Sequence, residues 1–107
     1  MFVEKKITLS TIHTPRLVFR LSEPATLHLS GSTDGTAAWV IQWPEMEPSA
    51  IGSTEDDALK MLSELLDSEC AYWLNAVRDD SMKDQIPERA YPYIQKLMRL
   101  LQNATPR

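Results

Sequence analysis

The chain has 107 residues, 43% hydrophobic and 24% charged, with a formal net charge of −4 and one cysteine, Cys70. That size suits one domain with an apolar core of its own, needing neither disulfide nor metal. The negative charge disfavours a nucleic-acid binder, the lone cysteine rules out an internal disulfide framework and fits a reducing cytosol, and no apolar run suits a secretory leader or a membrane span.

The first half of the chain reads as β. Lys6–Thr11 alternates polar and apolar residues, and Arg16–Leu21 places Leu17, Phe19 and Leu21 on one side. Pro15 and Pro24 punctuate these runs, because proline cannot donate to a strand ladder. Ala25–Ser30 alternates again, and Asp34-Gly35 is a hairpin signal leading into a strand over Thr36–Trp43, which Pro44 halts.

The second half reads as α. From Glu55 the apolar residues Ala58, Met61, Leu62, Leu65, Leu66, Cys70, Trp73 and Val77 recur mostly at steps of three and four, the stripe of a helix of about six turns. Thr54 is a good N-cap, with Asp57 three residues on in a variant of the capping box. Arg78-Asp79-Asp80-Ser81 breaks the pattern, and a second helix over Pro87–Gln102 has Ile94, Leu97, Met98 and Leu101 on one face. Pro92 lies early in it, so its regular part begins near Tyr91 or is kinked. The tail Asn103–Arg107 is expected to fray. These elements predict an α+β domain over residues 1–107, an antiparallel β-meander packed by a long helix, with a C-terminal helix. Phe19 and Trp39 or Trp43 are expected to face the long helix.

Catalytic groups are sparse. His28 alternates with Leu27 and Leu29 and points to solvent, Cys70 lies on the apolar stripe of the helix, and no spacing suits zinc or an EF-hand. Three glycines cannot build a phosphate loop. Glu55, Asp56 and Asp57 are consecutive, so on a helix they fan out, and capping and the helix dipole already account for them. Arg89, Lys96 and Arg99 could form a basic stripe, which a solvated helix face explains equally well. No cofactor and no metal is expected. Charge is unevenly placed, with eight acids and one base, Lys60, between Glu45 and Glu69, and a basic excess from Lys83 onward. The asymmetry follows the helix dipole, or it orients a basic partner.

Trp39-Val40-Ile41-Gln42-Trp43-Pro44-Glu45-Met46, followed by Gly52-Ser53-Thr54-Glu55-Asp56-Asp57-Ala58-Leu59, resembles the signature of HicB-like domains. There a strand ends in a Pro-acid-Leu turn, and an acidic pair with Ala-Leu opens a helix; the likeness covers about residues 25–75. It implies a β-β-β-α fold related to a reduced ribonuclease-H-like core without catalytic carboxylates. It also implies a non-enzymatic antitoxin or a relative of one, which occludes a small basic ribonuclease toxin. The segment past the long helix is too short for a helix-turn-helix, so DNA binding is not carried over. The acidic face expected to meet the partner comprises Glu45, Glu47, Glu55, Asp56, Glu64 and Asp67. The alternatives are a structural homo-oligomer, with Ile7–Thr11 as a pairing edge, and a metal-dependent nuclease using Asp56 and Asp57.

Overall fold

The computed structural model describes residues 1–107. Its first half is a long hairpin of β1 (Phe2–His13) and β2 (Leu17–Ser32), then two short strands, β3 (Trp39–Gln42) and β4 (Ser49–Gly52). The long helix α1 (Glu55–Arg78) follows, then a one-turn helix α2 (Asp80–Lys83), a 3₁₀ turn (Glu88–Ala90), helix α3 (Tyr91–Gln102) and a closing strand, β5 (Ala104–Pro106). The sheet is antiparallel in the order β1-β2-β3-β4, with β5 added beside the start of β2. The architecture is thus the α+β arrangement read from the sequence.

Alternation along the strands sorts the two faces of the sheet. Phe19, Ala25, Leu27 and Leu29 of β2 point inward with Trp39 and Ile41 of β3, against Ala58, Leu62, Leu66 and Cys70 of α1 and Leu97 of α3. Thr26, His28 and Gln42 lie exposed on the opposite face, as alternation requires. Trp43, just past β3, joins the same core, so both tryptophans and Phe19 are buried there.

β2 is a single strand where the sequence suggested two. The register passes from Leu9↔Ala25 to Thr11↔Arg20, so Ser10 faces the bulged stretch Leu21–Pro24. Pro24 sits in that bulge, where its missing N–H removes no ladder bond. The turn after β2 also differs from the two-residue hairpin that Asp34-Gly35 suggested, because strand pairing resumes only at Trp39. Asp34 accounts for the delay. Its carboxylate accepts from the hydroxyls of Ser32 and Thr36 and from the Thr36 amide, which holds its pKa well below the usual carboxylate range. Thr36 is thereby captured by a local side-chain turn and is lost to the strand. Gly35 supplies the positive φ of 78° that this loop needs.

The tail is paired, against the expectation of fraying. Ala104, Thr105 and Pro106 lie opposite Phe19, Val18 and Leu17, and beyond them the Arg107 amide donates to the Arg16 carbonyl at 2.9 Å. Three residues carry no periodicity of their own; the partner edge of β2 supplies the order. At α3 the sequence reading was close, with Pro92 in the first turn and a 3₁₀ turn ahead of it.

α1 begins where Thr54 accepts from the Asp57 amide at 3.1 Å. Gly52 ends β4, and α1 lies directly on it: a Cβ added there would collide with the Ala58 amide nitrogen. Neither backbone can give way cheaply, so Gly52→Ala is expected to cost roughly 2–4 kcal/mol. Gly35→Ala meets no neighbouring atom and strains only its positive φ, at about 1 kcal/mol. Urea unfolding of the two variants checks this; equal losses would show that α1 does not rest on Gly52.

Candidate functional site

The six acidic residues proposed as a partner face do not lie together. Glu45 and Glu47 occupy the β3–β4 turn, which the Trp43 carbonyl closes by accepting from the amides of Met46 at 3.0 Å and Glu47 at 2.8 Å. Glu47 holds a φ of 74°, a left-handed conformation that favours glycine. Glu55 and Asp56 open α1 at the other end of β4. Glu55 accepts at 2.7 Å from Nζ of Lys5 on β1, the edge strand opposite β4. Asp56 and Glu64 share one face of α1 at i and i+8, with Lys60 between them. Asp57 takes the Ser53 hydroxyl at 2.5 Å, so the three consecutive acids diverge, and no three His, Cys, Asp or Glu side chains converge as metal ligands would.

Asp67 leaves the surface altogether, with 5% of its area exposed. Its Oδ1 accepts from the Thr14 hydroxyl at 2.6 Å and its Oδ2 from the Arg16 amide at 3.2 Å. The Arg16 guanidinium Nε lies 3.6 Å from Oδ2, and Nη2 donates to the Asp67 carbonyl at 3.2 Å. Thr14 in turn accepts from the Leu17 amide at 2.9 Å, which closes the β1–β2 turn. Asp67 is therefore a brace between the hairpin and α1 and is corrected out of the partner face. Composition made it one acid among several; only the fold brings Thr14 and Arg16 to it.

A second feature lies where the sheet is incomplete. β5 pairs with Leu17–Phe19 and β3 with His28–Ser30, so no strand covers that side of β2 between Arg20 and Leu27. The gap opens into a cleft of about 410 Å³ bounded by this part of β2, the β3–β4 turn and the last turns of α3. Arg20, Lys96 and Arg99 line it together with Trp43. Lys96 Nζ donates to the Glu45 carbonyl at 2.8 Å and Arg20 Nη1 to the Thr105 hydroxyl at 2.9 Å, but no carboxylate lies within ion-pair distance of any of the three cations. Trp43 is 4% exposed, and its indole Nε1 has no hydrogen-bond partner. Lys96 and Arg99 were visible in the sequence as part of a basic stripe. Arg20 and Trp43 were not singled out for the cleft, and the one local signal was Pro24, which marks the interruption in β2.

The remaining reactive groups are muted. His28 stands between Lys6 and Gln42 on the exposed sheet face, and His13 is exposed at the end of β1. Burial, reinforced by the charges of Asp67 and Glu69, pushes the Cys70 thiol up to about 11, so it stays protonated and unreactive at neutral pH. Burial, followed by the charge of Glu69, likewise raises Tyr93. No helix is long and apolar enough to cross a membrane.

Comparison with family models, with curated proteins and with solved structures returns no match to this chain.

Asp67→Asn keeps the shape of the brace and removes its charge, setting an amide against donors. It is expected to lower stability by about 2–4 kcal/mol, read as a shift in urea midpoint at unchanged slope. A change within about 0.5 kcal/mol would return Asp67 to the class of ordinary surface acids.

Proposed function

We propose that the chain is a non-enzymatic protein-interaction domain of HicB type that acts in a reducing, cytosolic setting by covering the surface of a small basic partner. In its antitoxin form the partner is an RNA-cleaving toxin. The observation that supports this reading is the run β2-β3-β4-α1, an antiparallel meander leading through an acidic helix start into a long helix. It has the β-β-β-α order that the resemblance of residues 25–75 implies, with β1 added outside it and α3 after it.

The contact surface is narrower than the sequence suggested. Asp56 and Glu64 present one acidic edge of α1, and Glu45 and Glu47 present the β3–β4 turn. Glu55 remains accessible, since an exposed pair such as Lys5–Glu55 is worth at most about 1 kcal/mol and can be exchanged for a partner's cation. Complementary charge on these edges accelerates encounter more than it tightens the complex. Occlusion needs no reacting group on this chain, and DNA contact forms no part of the mechanism.

Affinity purification from the native host is expected to recover a small basic protein, with binding that weakens as salt rises. Glu45→Lys with Glu47→Lys, or Asp56→Lys with Glu64→Lys, should reduce its recovery at least about tenfold, a loss of 1.4 kcal/mol or more. Recovery of no basic protein, or recovery indifferent to both double variants, counts against the reading. Magnesium- or manganese-dependent cleavage of RNA by the purified chain would replace it with the nuclease alternative.

A second reading rests on β1, whose 12 residues pair on one side only. Such an edge suits two-fold pairing with a second copy, giving an antiparallel dimer with a continuous sheet. Sedimentation from about 1 μM to 1 mM is expected to show monomer–dimer exchange; a monomer throughout that range removes this reading.

A further inference from the structure

We propose that the cleft at the gap in β2 binds a small organic anion, a carboxylate or phosphate carried on a compact apolar body. This inference stands apart from the protein-interaction reading, since it uses none of the acidic edges as ligand contacts.

The first support is charge. A chain of net charge −4 gathers Arg20, Lys96 and Arg99 around one opening. None of the three has a carboxylate partner, so their charge is available to a ligand. Glu23 and Glu45 also border the cleft, both exposed, and leave it with a single net positive charge. That balance suits one anionic group better than a polyanion such as nucleic acid.

Trp43 provides the second, independent support. A buried indole N–H without an acceptor costs on the order of the desolvation of that donor, and native proteins rarely leave one so. Trp43 is held in place by the core on one side and lines the cleft on the other. Nε1 is itself closed to solvent, so an oxygen acceptor in the cleft takes that proton when the indole turns toward it, while Arg99 and Lys96 balance the charge. Such charge-assisted bonds are the strong ones.

Shape gives the third. About 410 Å³ matches the lower range of small-molecule sites. Leu21, Ala25, Met46 and Leu100 line it beside the polar groups, so the ligand has an apolar part as well as a charge. The sheet gap explains why the space exists: β5 stops opposite Phe19 and β3 opposite His28, with the bulged stretch Leu21–Pro24 between them.

The test is a ¹⁵N-resolved NMR titration of the three tryptophan indole signals with phenylacetate, phenyl phosphate and the neutral phenylacetamide. The Trp43 signal is assigned by its loss in Trp43→Phe. It is expected to move saturably with at least one of the two anions, while the Trp39 and Trp73 signals stay in place. The anion that binds more tightly identifies the ligand group as carboxylate or phosphate. Arg99→Gln, which removes an exposed side chain without a structural contact, should weaken binding about tenfold, and Lys96→Gln should do likewise. The proposal is overturned if neither anion moves the Trp43 signal saturably by about 10 mM. It is equally overturned if phenylacetamide binds as well as phenylacetate, or if Arg99→Gln binds like the unaltered protein.

Discussion

The fold depends on one buried charge. Removing a carboxylate from water costs several kcal/mol, and Asp67 is tolerable inside only because the β1–β2 turn supplies donors to both of its oxygens. The donors are a hydroxyl and a main-chain amide of Thr14–Arg16, so the carboxylate fixes the turn itself and not merely one side chain. The turn answers through Arg16, whose guanidinium reaches the carbonyl of Asp67 on α1. Arg107 adds the chain's end to the same knot by donating to the Thr14 carbonyl at 2.9 Å. A second fixed point lies nine positions earlier on the helix, at Ala58, where the backbone meets Gly52. Two anchors about 13 Å apart along the axis leave α1 little freedom to slide or rotate over the sheet.

With α1 and the turn fixed, the rest of the sheet follows. β2 is too long for any one neighbour except β1: β3 covers its final third and β5 its first residues. The bulge opposite Ser10 falls between those two partners. A strand edge left open inside a protein has to be closed by side chains, and here the β3–β4 turn and α3 come over it without filling the space. The cleft and the unpartnered Trp43 indole are therefore consequences of the topology, and the cations that line them come from two elements that meet only in the folded chain, β2 and α3.

What was legible in the sequence was what is local. Alternation over Ala25–Ser30 gave the buried and exposed faces of β2, the three-and-four spacing from Ala58 gave the buried stripe of α1, and Thr54 marked its start. Pro24 misled because the rule against proline in a ladder is also satisfied by a bulge, and only the register against β1 tells the two apart. β5 was invisible because three residues have no pattern until Leu17–Phe19 lie beside them. Asp67 was misjudged for the same reason: an acid on a helix looks solvated unless the donors that bury it, 51 and 53 residues away, are known to arrive. Trp43 was one of two tryptophans the sequence offered to the core, and both lie there, yet nothing in its neighbours' identities could show that its N–H would lack a partner.

Charge counted along the chain and charge available on the surface are therefore different quantities. Of the eight acids between Glu45 and Glu69, four have internal work. Glu55 meets Lys5, Asp57 takes Ser53, Asp67 braces the hairpin, and Glu69 accepts from the Trp73 indole at 2.9 Å. Glu45, Glu47, Asp56 and Glu64 remain without an ion pair. They are divided between a turn and a helix edge, so a partner that meets both sets must span β4, and one that meets a single set encounters only two charges. The cationic residues show the reverse: the sequence scatters Arg20, Lys96 and Arg99 over 80 residues, and the fold collects them at one opening. An acidic composition thus conceals an opening where three unpaired cations outnumber Glu23 and Glu45, because field at a surface is set by which charges remain unpaired there and not by the sum over the chain.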